Sequence, residues 1–379
     1  MNNDSRRSIC IVLTSPFALN AFLLDHLRAL AEDYRITVCV NIGASPISPL
    51  LDSRIEVLHI PIARAINPWA DMRSLWQLVR LFRQRHFDAI HSLTPKGGLL
   101  GMLAGFLAAV PMRTHSFTGQ VWATHRGFSR ILLMNMDRLL AFCATDLHAD
   151  SASQARFLEE SKICAHGRIQ VFGQGSISGV NIDRFSAAPE RRARVRQQLG
   201  IEMDTPVFLF LGRLQRDKGV LILATAFADI LARHPAPQLL LVGPDEDGLG
   251  DQIAQQLPQH CRIIGLTPHP EDYIDAADVL CLPSFREGFG TVVIEAAAMG
   301  VPAIASRIYG LTDAVVDGQT GLLCPAGDAN ALAEAIERML DPSLRENLAQ
   351  QALNRARTMF AADTITAYWR AYYKRRLDQ

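Results

Sequence analysis

Charge imbalance is absent: 38 Lys and Arg offset 38 Asp and Glu over 379 residues, for a formal net charge of zero. No global field draws the chain to a polyanion, so nucleic acid is not an expected partner. Paired cysteines are absent too. The seven cysteines (10, 39, 143, 164, 261, 281 and 324) are scattered, with no C-x-x-C spacing. They predict packed, reduced thiols in a cytosolic protein rather than a zinc site or a disulfide frame. Long apolar runs are missing. The longest mostly apolar stretch, residues 99–110, is too short to cross a bilayer. Residues 1–8 are polar and the next apolar run is only strand-length, which predicts no signal peptide. No G-x-G-x-x-G follows the first strand-like run, which argues against a dinucleotide oxidoreductase. Internal repeats and low-complexity tracts are absent as well.

Short apolar runs recur instead. They lie at 9–13, 36–40, 89–90 and 147–149, then at 207–211, 239–242, 262–264, 279–282 and 303–305. Helical patterns separate many of them. This alternation predicts an α/β chain, with parallel sheets carrying helices on both faces, formed twice. The length holds two domains, and 49% hydrophobic with 20% charged residues describes a soluble globular protein. Glycine and serine crowd residues 173–179, and 186–189 reads as linker. The expected domains are therefore 1–185 and 186–354.

Two segments carry chemistry. In residues 284–295, Glu287 and Glu295 bracket seven residues. An apolar run precedes them, Gly288, Phe289 and Gly290 form a tight loop, and a helix starts at about Thr291. A strand, loop and helix in that order present backbone N–H groups and a positive helix end to a phosphate or a sugar. Glu287 and Glu295 can accept hydrogen bonds from hydroxyls, including those of a ribose. The second segment follows the apolar run 207–211. It reads Gly212, Arg213, then Lys218 and Gly219, with a helix over 220–231. Arg213 offers a planar fork of donors and Lys218 a compact ammonium, which suit a diphosphate. Read alone, the first is also an ordinary helix start with acidic residues, and the second a solvated basic turn.

Together, in this order, the two segments resemble the signature of glycosyltransferase family 4, retaining enzymes of the GT-B fold. The resemblance extends over nearly the whole chain. Thr14, Ser15, Pro16 and Phe17 with Asn20 resemble the family's N-terminal loop. Residues 91–101, 118–122 and 175–180 are similar to segments of its capsule and O-antigen branch. The resemblance implies two facing, doubly wound, Rossmann-like domains with the donor in the cleft between them. It also implies that the terminal helix, about 355–379, packs back on the first domain. The expected reaction moves a sugar, often N-acetylated, from UDP to a lipid-linked saccharide. Arg213, Lys218 and Glu287 are the expected catalytic set. Gly175, Ser176, Gly212, Gly265, Leu266, Gly288, Phe289, Gly290, Thr291 and Glu295 are the expected donor contacts. No metal or other cofactor is expected. The rivals are a GT-B sugar-nucleotide epimerase or phosphorylase, and a non-catalytic nucleotide-sugar-binding partner of an assembly complex.

Other candidates stay open. His115 is placed just after a predicted strand, but the family's histidine precedes the glycine directly, where this chain has Thr118. Either residue is a candidate sugar contact. Pro16 of the N-terminal loop, and Lys96 and Gly97 at a strand-to-helix turn, are candidate sugar or acceptor contacts, and a plain helix start explains Lys96 and Gly97 as well. Asp245, Glu246 and Asp247 fit a solvated turn better than a cation site. Met72, Leu75, Trp76, Val79 and Phe82 form one face of a basic helix beside Trp69. That pattern suits the anionic inner face of a membrane, and equally suits packing on a sheet.

Overall fold

A computed structural model of the chain describes residues 6–43 and 45–378. They form two compact units. One comprises the chain up to Gly179 together with its last segment from Ala362, and the other comprises Val180–Ala361.

The first unit is built on seven parallel strands. They are β1 (Ser8–Val12), β2 (Arg35–Val40), β3 (Glu56–His59), β4 (Ala89–Ser92), β5 (Met112–Phe117), β6 (Asp146–Ala149) and β7 (Ile169–Gln170). Their order across the sheet is β3-β2-β1-β4-β5-β6-β7. All residues of β1 are buried, as a strand covered on both faces by helices requires. Ile9 pairs with Ile36 on one side and Ala89 on the other. The helix Ala362–Leu377 closes this unit. It buries Ile365, Trp369, Tyr372 and Tyr373, spaced to share one helical face. Trp369 Nε1 donates to the Ile177 carbonyl at 3.0 Å. Each such aromatic side chain contributes about 1.5–3 kcal/mol of burial energy.

The second unit repeats the plan with six strands. They are β8 (Val207–Leu211), β9 (Gln238–Val242), β10 (Cys261–Ile264), β11 (Val279–Leu282), β12 (Ala303–Ser306) and β13 (Gly321–Cys324). They run parallel in the order β10-β9-β8-β11-β12-β13. The helix Val220–Arg233 buries Leu223, Ala224, Phe227 and Ile230, an i, i+3/i+4 stripe facing the sheet. In both sheets the strand order reverses beside the first strand. The carboxyl ends flanking that reversal are where open α/β sheets receive ligands. The reversals fall between β1 and β4 and between β8 and β11.

Candidate active site

The two chemical segments leave neighbouring strands at the reversal point of the second unit. β8 releases the chain into Gly212 and Arg213, and β11 releases it into Pro283 and Ser284. A short turn, Arg216–Lys218, then leads to Gly219, which starts the helix at φ 71°. A Cβ on Gly219 would lie 2.1 Å from the Pro283 carbonyl oxygen, so only glycine lets the loops approach this closely. They are also tied by hydrogen bonds. Phe285 N donates to Asp217 O at 2.9 Å, and Arg286 Nη2 to Asp217 Oδ2 at 2.8 Å.

This backbone arrangement brings Lys218 to Glu287. Lys218 Nζ donates to Glu287 Oε1 at 2.6 Å, and Ser284 Oγ donates to the same oxygen at 2.9 Å. The pair is mostly buried, with side chains 14% and 15% exposed. Arg213 is held separately: its Nη1 donates to Glu246 Oε2 at 3.2 Å, beside Gln215 Nε2 at 2.9 Å. Each cation therefore has a carboxylate partner, and an arriving anion must compete for it.

The helix Thr291–Ala298 starts after Gly290 with no side-chain cap. Its end therefore carries the positive pole of the helix without a carboxylate to offset it. Phe289 is buried and packs against Phe360, ring centroids 5.2 Å apart, so its side chain anchors the loop in the core. Glu295 sits half-buried on the same helix. Burial pushes its carboxyl up to about 7, nearby Arg184 pulls it back, and Glu271 pushes it further. Gly265 and Leu266 follow β10, and Leu266 is exposed.

The remaining candidates belong to the first unit. At its reversal point Thr14 and Thr94 link through their hydroxyls at 2.7 Å, and Gly97 N donates to Thr14 Oγ1 at 3.2 Å. Pro16 is buried as the first residue of the helix Pro16–Phe22. Lys96 lies in the first turn of the helix Pro95–Leu107 and pairs with Asp71 at 2.6 Å, with a second bond to the Ala65 carbonyl. His115 lies inside β5, not after a strand. Its Nδ1 bonds Ser92 Oγ at 2.9 Å. Burial, with His148 adding to it, lowers its pKa to about 3, so the ring is neutral. A Cβ on Gly98 would meet His115 Cε1 at 2.4 Å, which shows how closely the helix covers the ring. Thr118 is exposed, and its hydroxyl donates to Leu93 O at 3.1 Å. Gly175 and Ser176 are buried, and Ser176 N donates to Asp150 O at 2.7 Å.

Four residues that shape these sites carried no sequence signal for their contacts. Thr14 and Thr94 meet through the pairing of β1 with β4, and Glu246 meets Arg213 through the pairing of β8 with β9, while Ser284 reaches Glu287 within its own loop. Among the described residues no group of three His, Cys, Asp or Glu side chains is arranged to hold a metal ion.

Residues 191–355 match the model described as glycosyl transferases group 1, and residues 19–175 match the glycosyl transferase 4-like domain. The chain is 32% identical over 317 residues to the capsular polysaccharide biosynthesis glycosyltransferase CapM of Staphylococcus aureus. That match covers 82% of this chain and 83% of the relative. It is 36% identical over 348 residues to a D-inositol 3-phosphate glycosyltransferase of Acidothermus cellulolyticus, covering 86% of this chain and 73% of the relative. The fold is that of HepE of Anabaena, solved in complex with UDP and glucose. The two superpose with a TM-score of 0.79 at 20% identity, over 98% of this chain and 100% of that one.

Proposed function

The chain belongs to glycosyltransferase family 4, and from that premise we propose that it is a retaining transferase of cell-surface polysaccharide assembly. It moves a sugar, N-acetylated by our reading, from UDP to a lipid-linked saccharide of the capsule or O-antigen type. The observation that carries this reading is the placement of Arg213, Lys218 and Glu287 on two adjacent strand ends at the sheet reversal. Arg213 and Lys218 neutralise the departing diphosphate. Glu287 and the loop Gly288–Gly290 position the donor sugar, and Glu295 holds the ribose. The helix end at Thr291 adds a fixed positive pole, so the reaction needs no metal. Catalysis then rests on stabilising charge that develops on the leaving phosphate. The front-face route fits this set: the leaving phosphate oxygen takes the acceptor's proton as the sugar transfers.

CapM supports the polysaccharide setting, and the UDP complex of HepE supports the nucleotide. The acceptor surface is drawn from Pro16, Lys96, Gly97 and Thr118 of the first unit, with His115 supporting from below. Gly212, Gly265 and Leu266 border its nucleotide, whereas Gly175 and Ser176, expected as donor contacts, are buried in the first unit with their N–H groups already bonded to Phe172 O at 2.9 Å and Asp150 O at 2.7 Å. The protein works at the cytoplasmic face of the membrane, docked there by exposed apolar and basic side chains of the first unit.

The test is acceptor-dependent release of nucleoside diphosphate. Arg213→Ala and Lys218→Ala should each lower turnover about a hundredfold or more, the scale of losing one oxyanion donor. Near-normal rates in both variants would refute the assignment. Transfer to an inositol phosphate but not to lipid-linked saccharides would move the acceptor class.

A further inference from the structure

Glu246 has no role in the proposed reaction, yet it holds one of the two diphosphate cations. It lies between two other acids in the loop after β9. Asp245 accepts from the N–H groups of Leu249 and Gly250 at 2.9 and 2.8 Å. Asp247 accepts from Arg216 N at 2.9 Å. Both neighbours therefore fix backbone. The loop is also zipped to the Arg213 loop, with Leu214 N donating to Pro244 O at 2.9 Å. Gly243 permits this: at φ 139°, its Cβ would lie 2.0 Å from the Gly212 carbonyl oxygen. Glu246 is thus delivered to Arg213 by paired backbone, not by the chance reach of two long side chains. Gln215 aims the same carboxylate oxygen at 2.9 Å. Arg213 and Glu246 side chains remain 30% and 33% exposed, within reach of an arriving ligand.

We propose that Glu246 is a positioning residue that competes with the nucleoside diphosphate for Arg213 and so hastens product release. This rests on the reading of Arg213 as a diphosphate ligand. A single N–H···O contact is weaker than the bidentate pairing a guanidinium makes with a well-set oxyanion. An arriving diphosphate displaces the carboxylate, which stays nearby as a like charge. Transfer breaks the bond between the anomeric carbon and the phosphate oxygen and forms the new glycosidic bond. The acceptor's proton passes through that oxygen to solvent. The terminal phosphate, no longer esterified, carries more negative charge than it did in the donor. Repulsion from Glu246 is therefore greater for product than for donor, and Glu246 recaptures Arg213 as the product leaves.

The experiment is calorimetric titration of UDP, GDP and ADP into the full-length wild type, Glu246→Gln, Arg213→Ala and the double variant. Glutamine keeps the partner of Gln215 and removes the charge. Glu246→Gln should bind the preferred diphosphate about twofold to fivefold tighter, the range for a partly exposed ion pair. The gain should be smaller in the Arg213→Ala background, where only direct repulsion remains, and should shrink as salt rises. Product inhibition should strengthen by the same factor. Unchanged or weaker binding in a folded Glu246→Gln protein overturns the proposal, because Glu246 would then orient Arg213 instead of competing for it. If the wild type binds none of the three, or if Arg213→Ala leaves binding unaltered, the diphosphate reading of Arg213 falls and the proposal falls with it.

Discussion

A glutamic acid whose pKa is pushed to about 7 is costly to keep in a folded protein. Glu295 is ionised in the unfolded chain above its ordinary value near 4.5, while burial holds it neutral in the fold until about 7. The folded state therefore binds the extra proton between those values, and stability falls as pH rises through that window. Glu295→Gln should match the wild type in stability below the window. At pH 8 it should be more stable by about 1–3 kcal/mol, since a tenfold change in proton affinity is worth about 1.4 kcal/mol. Thermal melts at pH 4 and pH 8 check this. A gain that is equal at both values, or absent at pH 8, would contradict it. The same variant should bind nucleotide less well, since a group retained against stability is retained for use. Arg213, Lys218, Glu287 and Glu295 were legible as residues because their chemistry recurs on a strand-loop-helix pattern. The pairing of Lys218 with Glu287 was not legible, since 69 residues separate them and only the β8–β11 contact brings them together. Glu246 read as a turn residue for the same reason.

At the scale of elements, apolar runs identified most strands, and the alternation with helices gave the two-sheet plan. β5 escaped the apolar-run signal because it carries Arg113, Thr114, His115 and Ser116. Its buried polar groups find partners on other elements: Ser116 with His91, Thr114 with Tyr372, and His115 with Ser92. β3 is an edge strand, and β7 and β13 are short. The helix Pro68–Arg85 shows the limit of reading one face. Leu75, Val79 and Phe82 pack inward, but Met72 and Trp76 of the same expected stripe stay exposed, with Trp69 exposed to 88%. The helix Gly127–Cys143 adds Phe128 at 78% and Phe142 at 69%, and Phe142 packs 5.9 Å from Phe106 at the end of Pro95–Leu107. The charges around them are one-sided. Arg73, Arg80, Arg83, Arg126 and Arg130 are exposed. The two acids on these helices are engaged: Asp71 pairs with Lys96, and Asp137 accepts from Trp122 Nε1 at 2.7 Å. Apolar side chains ringed by arginine suit an anionic bilayer. In flotation, the protein should bind vesicles containing phosphatidylglycerol and bind pure phosphatidylcholine much less. Phe128→Ser with Phe142→Ser should weaken binding at least about tenfold, because each phenyl contributes up to about 1.5–3 kcal/mol when buried. Equal binding to both vesicle types, or no effect of the double variant, would rule out this mode of docking.

Across the whole chain, the histidines are distributed unevenly, and the two units should answer acid differently. His26, His91, His115 and His148 are all buried in the first unit. His234, His260 and His269 of the second unit all keep solvent contact. Burial lowers His26 and His148 to about 4 and His115 to about 3. His91 is also held well below its ordinary value, by burial and by His148 and His115. Each ring is neutral in the fold and takes up a proton in the unfolded chain below about 6.5. Stability of this unit is therefore full above that value and is lost as pH falls from about 6.5 toward 4. Each ring costs up to about 1.4 kcal/mol for every tenfold loss of proton affinity on folding. The four rings lie in one unit, so acid loads that unit from several positions at once. The reporter is built in. All four tryptophans (69, 76, 122 and 369) lie in the first unit, and Trp369 stacks on His91 with ring centroids 4.6 Å apart. Tryptophan fluorescence should change with a midpoint between about pH 4 and 6.5, while part of the helical circular dichroism signal persists. His148 offers the decisive variant. Neither of its ring nitrogens has a hydrogen-bond partner, and the ring lies between Phe172 and Tyr372, each at 4.6 Å. His148→Phe removes an unsatisfied buried polar group and sacrifices no hydrogen bond. It should raise stability at pH 8 and raise it further at pH 5, moving the fluorescence midpoint to lower pH. A midpoint that stays fixed in this variant would show that His148 does not contribute to the acid response of the unit.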